Sequence, residues 1–327
     1  GKIPVDRLAE GTVQYFLEDG TPLKEGKYRT TDLSKSEQGF YVTANGLKSD
    51  VFKVSIREPF AEDAYETITY PVVFHLIQDK TKVELGQGVG ADIVNYAFNT
   101  IYNCFARTAA FSPNGADTKI RFRLAEYDPN GRKMEEKGIN RYSLSTSDLN
   151  NLNPEKIKNN PKICWDYKRY LNIWIVENMG NSVSTPHYIL NTADLNQIQG
   201  VSFEQLSLEE IEKQEYSLTD IGLIYGARDF AIEDVGYPTQ MGKFFGLLDT
   251  ENQKEDYCED TFAYNTYKEP WNTALEGSNS RLKISTDGLI FYSVNIMDAS
   301  SYKNTISMDQ VKRIRTITDN CPHRWAW

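Results

Sequence analysis

The chain has 327 residues, enough for one large domain and a smaller one. Hydrophobic residues make up 40% and charged residues 25%, with 20 Tyr and 15 Phe, a composition that excludes a disordered chain. The 36 basic and 46 acidic residues leave a formal charge of −10, and the absence of a basic stripe or a long apolar run excludes nucleic acid as a partner and a membrane-spanning helix.

Residues 1–62 read as a small all-β, sandwich-like module. Residues 12–17 predict a strand, closed by the turn residues Glu18, Asp19 and Gly20. Residues 40–43 predict a second, leading into the hairpin pair Asn45-Gly46. Phe52, Val54 and Ile56 alternate with Lys53, Ser55 and Arg57, the pattern of a half-buried strand. Residues 57–66 read as a linker to a second domain at 63–327.

The pattern changes at Tyr70. Residues 70–77 (YPVVFHLI) form the continuous apolar run of a buried central strand. Ile93, Ala97, Ile101 and Phe105 then share one face at helical spacing. Ile120, Phe122 and Leu124 alternate as a strand, and residues 171–176 (LNIWIV) predict another buried one. Residues 202–217 are acidic and helix-prone, a surface excursion, and residues 221–225 give a short strand. Met241, Phe244, Phe245 and Leu248 mark a helical face after Pro238, within a helix expected over residues 239–249. Residues 249–260 are an acidic loop. Ser307 and Gln310 have the spacing of a capping box that starts a last helix, with Val311 and Ile314 facing its core.

Four cysteines, Cys104, Cys164, Cys258 and Cys321, allow two disulfides in three connectivities or four buried thiols; no C-x-x-C pair suggests a zinc knuckle. The three histidines stand apart: His75 inside the central strand as a core residue, His187 after Pro186, and His323 beside Cys321. There is no G-x-S-x-G and no phosphate-cradling glycine loop, and Asp128-Pro129-Asn130-Gly131 is a turn.

The order of central strand, helix, LNIWIV strand, the frame Gly242-x-x-x-Gly246-Leu247-Leu248, the run Asn295-Ile296-Met297-Asp298 and the helix opening Met308-Asp309-Gln310-Val311-Lys312-Arg313 resembles the pappalysin-like metzincin zinc metallopeptidases, including bacterial lipoprotein members. The likeness covers roughly residues 66–320. It implies an α+β metzincin fold, with a mixed twisted sheet, helices and a Met-turn at Met297. Those families carry H-E-x-x-H-x-x-G-x-x-H, whose histidines bind zinc and whose glutamate polarises the metal-bound water. Here Thr239 stands at the first histidine, Gln240 at the glutamate, Lys243 at the second histidine and Asp249 at the third. A protonated lysine is no ligand and a glutamine no general base.

The resemblance with these departures implies a catalytically inactive pseudopeptidase without zinc, in which Lys243 pairs with Asp249 and Gln240 joins them. The expected role is binding a peptide, protein or glycan in the former substrate cleft. Alternatives are an active zinc endopeptidase with non-standard ligands and a structural surface lipoprotein. The acidic loop is a candidate calcium site, though it lacks the EF-hand pattern. The family places such proteins outside the cytoplasm, periplasmic or on the cell surface, which favours the two-disulfide reading. Gly1 follows no Met, so a targeting segment or lipid anchor is expected upstream.

Overall fold

The computed structural model describes residues 13–30, 32–58, 60–82, 88–108, 115–232, 236–251, 255–264, 282–285, 290–298 and 303–325. Thr12 of the first expected strand and residues 252–254 of the acidic loop lie outside them. The chain divides into two compact units, Gly1–Ala61 and Glu62–Trp327.

In the first unit, β1 (Val13–Leu17), β2 (Glu37–Ala44), β3 (Leu47–Lys48) and β4 (Phe52–Ser55) form one antiparallel sheet in which β2 pairs with the other three. Asn45 and Gly46, at φ 52° and 79°, close the β2–β3 hairpin as an Asn-Gly pair should. Two expectations are corrected. The described residues form a single sheet, not a sandwich. β4 is exposed along its length, with Phe52 at 49% and Val54 at 42%, because it is an edge strand paired with β2 alone among the described strands.

The second unit is mixed α/β. Its elements are β5 (Ile68–Asp79), α1 (Ala91–Phe105), β6 (Ile120–Leu124), β7 (Ile139–Leu144), α2 (Thr146–Asn150), α3 (Pro154–Lys158), β8 (Leu171–Val176), β9 (Tyr188–Leu190), β10 (Glu204–Leu206), α4 (Leu208–Lys213), β11 (Gly222–Gly226), α5 (Ala227–Ala231), α6 (Tyr237–Phe244), β12 (Leu282–Ile284), β13 (Ile290–Tyr292) and α7 (Met308–Asn320). The central sheet runs β11–β8–β5. Beyond β5, β6 pairs with residues 68–72 and β7 with residues 74–79. The pairings among these five strands are all parallel, and among the described residues one antiparallel bridge, Ser182 to Ile224, is added at the β11 edge. Strands buried on both faces suit a parallel sheet, and the apolar runs of β5 and β8 are buried in that way.

α1 turns Val94, Ala97, Ile101, Cys104 and Phe105 to the core, so Val94 takes the place expected of Ile93. The Phe105 ring meets Phe122 of β6 at 5.3 Å and Phe245 at 5.7 Å, and Tyr70 of β5 meets Phe245 at 5.5 Å. This aromatic cluster fixes the C-terminal end of α6 against α1 and the sheet. His75 lies wholly buried in β5 with both ring nitrogens engaged, Nε2 with the Asn172 Oδ1 and Nδ1 with the Asn140 amide, each at 2.8 Å. An oxygen at one nitrogen and an NH2 at the other select the neutral tautomer protonated at Nε2.

Candidate functional site

Local chemistry stops α6 five residues short of Asp249. Gly246, at φ +85°, donates to the Lys243 carbonyl and Leu247 donates to the Gly242 carbonyl, both at 2.9 Å. These are the two bonds of a Schellman motif, with glycine in the left-handed position. The expected helix over residues 239–249 therefore ends at Phe244. The reversal that follows brings Asp249 back alongside the helix. Lys243 Nζ lies 2.9 Å from Asp249 Oδ1 and 3.0 Å from Oδ2, so the carboxylate is held by both oxygens. The Gln240 side chain, expected to join this pair, is half-buried and forms no hydrogen bond to a described residue.

Thr239, near the start of α6, is engaged elsewhere. Its hydroxyl donates to the Ile296 carbonyl at 2.6 Å and accepts from Lys303 Nζ at 3.0 Å. Ile296 belongs to the tight turn that carries Met297. Asn295 Oδ1 accepts from Met297 N–H at 2.9 Å, and the Asn295 and Gln310 amides pair reciprocally at 2.8 and 3.1 Å. Gln310 also closes the capping box of α7 with Ser307, so one side chain ties the turn to the last helix. Gly242 lets the turn approach α6: a Cβ there would stand 2.9 Å from the Met297 sulfur and 3.1 Å from Ile296 Cδ1.

Charge gathers around this junction. Lys303 is half-buried. Burial holds its ammonium below the usual lysine range, while Asp298, Asp249 and Glu251 pull it up and Lys243 pushes it down. Lys283 on β12 is buried in the same field, held low by desolvation against Asp298 and Glu251. Asp298 is itself bonded, Oδ1 to the Thr250 hydroxyl at 2.7 Å and Oδ2 to Asn295 N–H at 3.2 Å. A cavity of about 200 Å³ opens beside it, lined in part by Thr250, Phe262, Asn295 and Thr305. The motif positions did not single out Lys303, Lys283 or Thr250, because each reaches the junction only through tertiary folding.

Zinc of the kind the resemblance implies needs neutral or anionic donors around one open point. At the matching positions stand a hydroxyl donating to a carbonyl, an ammonium, and a carboxylate held by that ammonium, with a second ammonium on the hydroxyl. This set does not fit zinc. Among the described residues no three His, Cys, Asp or Glu side chains are grouped to hold a metal.

The acidic loop uses its carboxylates as caps. Asp256 accepts from Cys258 N–H at 3.2 Å and the Thr261 hydroxyl at 2.7 Å; Asp260 accepts from the Ser307 hydroxyl at 2.7 Å and Asp309 N–H at 3.0 Å at the start of α7.

All four cysteines are free thiols, which overturns the two-disulfide expectation. Cys258 lies near Asp309 and Arg313 in the first half of α7, whereas Cys321 caps its other end, roughly 15 Å along the axis at 1.5 Å per residue. Bridged cysteines need Cα atoms within about 7 Å. Cys104 donates weakly to the Lys303 carbonyl at 3.6 Å, and Cys164 packs against the core cluster that includes Ile163 and Trp174. Burial raises all four thiols, Cys164 to about 11 and Cys104 to about 12.

A cleft of about 830 Å³ lies elsewhere, against the Asp128–Arg132 turn, β7 and Trp165.

No family model matches this chain, and no curated protein does. Among solved structures it is similar to a promirolysin mutant of Tannerella forsythia, with 19% identity and a TM-score of 0.48 over 79% of this chain and 83% of that one. It is also similar to Tannerella forsythia mature mirolysin in complex with a cleaved peptide, with 19% identity and a TM-score of 0.46 over 77% and 91%. Mirolysin in complex with compound 9 gives 19% identity and a TM-score of 0.48 over 78% and 93%.

Proposed function

We propose that the chain is a metzincin-type metallopeptidase homologue that has lost zinc-dependent hydrolysis and works outside the cytoplasm as a binding protein for extended peptide or protein segments. The observation that carries this reading is the ion pair between Lys243 on α6 and Asp249 beyond its end, two positions in the frame that resembles the family's zinc motif. Two of the positions that would hold a metal hold each other, and the third donates to the turn at Ile296. Gln240, at the position of the family's general base, has an amide that cannot take a proton from water at neutral pH. Asn295-Ile296-Met297-Asp298, packed under Gly242, takes the part of the Met-turn. A sheet edge can bind an extended segment by strand addition without any metal, so the binding surface of such a fold outlasts its chemistry.

Fluorescein-labelled casein tests both halves. The chain is expected to raise its anisotropy without releasing fragments, and to retain no zinc after incubation with the ion and desalting. Stoichiometric zinc, or casein cleavage abolished by a chelator, would overturn the reading.

A further inference from the structure

The motif accounts for Lys243 but not for Lys303, which lies 64 residues from its hydrogen-bond partner Thr239. The Lys303 ammonium makes one hydrogen bond, to the Thr239 hydroxyl at 3.0 Å, and no carboxylate of a described residue is within ion-pair distance. Its charge is balanced at longer range by Asp249, Glu251 and Asp298. A place has been made for it. Gly236 has φ +60°, and a Cβ there would stand 3.3 Å from Lys303 Nζ and 2.9 Å from Thr239 Oγ1. The backbone is anchored from the far side, where the Lys303 carbonyl accepts from the Cys104 thiol on α1. A long, flexible side chain is thus led past a glycine to place its charge over the first turn of α6.

We propose that Lys303 is the resident cation of the junction between α6 and the Met297 turn: its ammonium, seated on Thr239 in the field of Asp249, Glu251 and Asp298, keeps a divalent metal out. The inference rests on the reading of Thr239, Lys243 and Asp249 as former metal positions, and adds that restoring those positions is not enough to restore a metal site. A fixed ammonium repels a divalent ion at short range, where little water screens it.

The test compares two variants by calorimetric titration with zinc alone. The first carries Thr239→His, Lys243→His and Asp249→His with Lys303 intact. The second adds Lys303→Met. Zinc is expected to bind the second about ten- to a hundredfold more tightly, the range over which groups bordering a metal site act on its affinity. Equal affinity would overturn the role of Lys303 while leaving the former metal positions standing. Binding by neither would overturn those positions, and the inference with them. If the substituted chains do not fold, a double-mutant cycle in the parent decides. Lys303→Met is expected to shift the unfolding midpoint less in a Thr239→Val background than in the parent, since the two side chains share one bond. Additive shifts would overturn the proposal.

Discussion

The Lys243–Asp249 pair, at the two positions proposed above as former metal positions, is a modest stabiliser. Its side chains are 29% and 30% exposed, and partly exposed ion pairs contribute about 1 kcal/mol or less. Asp249→Asn is therefore expected to lower unfolding free energy by under about 1 kcal/mol in urea titrations, with the effect shrinking in salt. A buried histidine matters more. Burial takes His75 down to about 4 from 6.5, with the Asn172 hydrogen bond pulling the other way. Between those values the unfolded chain binds the proton and the native one does not. Stability contributed above pH 6.5 is therefore lost as pH falls, by at most about 1.4 kcal/mol per unit. His323, brought to about 4 by burial and then by Arg324, adds a slope of the same sign. The urea midpoint should fall steadily from pH 6.5 towards 4, and His75→Gln should flatten the fall; a level midpoint would mean that the ring is protonated in the native state. The cysteines give a further check. An aromatic disulfide reagent should titrate four thiols in denaturant and react slowly with the native chain, the half-buried Cys164 first.

At the scale of elements, the junction of α6, the Met297 turn and α7 is held by close approach. Gly242→Ala would drive a methyl into the Met297 sulfur and Ile296, so it should cost about 1–3 kcal/mol despite the better helix propensity of alanine. Truncating Met297 in the same chain should recover part of that loss, as read from thermal unfolding. Ser307→Ala removes the cap of α7 and the partner of Asp260, an expected loss of about 1 kcal/mol. Much of this was legible in the sequence. The apolar runs of β5 and β8, the Asn45-Gly46 turn, and Ser307 with Gln310 carry local signals that tertiary structure had no reason to override. The end of α6 was less legible, because Phe245, Leu247 and Leu248 continue an apolar pattern through the glycine that stops the helix. The site was half legible: Lys243 and Asp249 are six residues apart, whereas Lys303 reaches Thr239 and Thr250 reaches the Met297 carbonyl by long-range folding that no spacing encodes. The strands β7 and β9 were missed. β9 is three residues long and β7 (INRYSL) lacks a regular apolar alternation, and each becomes a strand through its partner.

Over the whole second unit, one residue links distant parts of the chain. Arg324, fully buried, donates to the carbonyls of Phe244 at the end of α6, Asp220 ahead of β11 and Ser184 beside the sheet edge, while its guanidinium lies 3.7 Å over the Phe244 ring. Tyr70 of β5 donates to the Arg324 carbonyl. A buried guanidinium that satisfies three carbonyls leaves all of them unpaired when it is removed. Arg324→Met should therefore cost about 3–5 kcal/mol by chemical denaturation, more than any surface charge change. Expressed alone, residues 62–327 should unfold cooperatively, as a compact unit with its own core does; a broad, non-cooperative melt would count against that independence.

The parallel sheet has a kinetic consequence. β5 is its middle strand, yet Val72 pairs with Leu171 and Ile68 with Ile120, and Arg324 reaches back 140 residues to Ser184. Every such contact must close a long loop before it stabilises anything, so the barrier is entropic and refolding slow. While it waits, β5 presents two open apolar edges, which makes the half-built sheet the species most prone to self-association. The protein should therefore refold best when dilute, with yield falling as concentration rises.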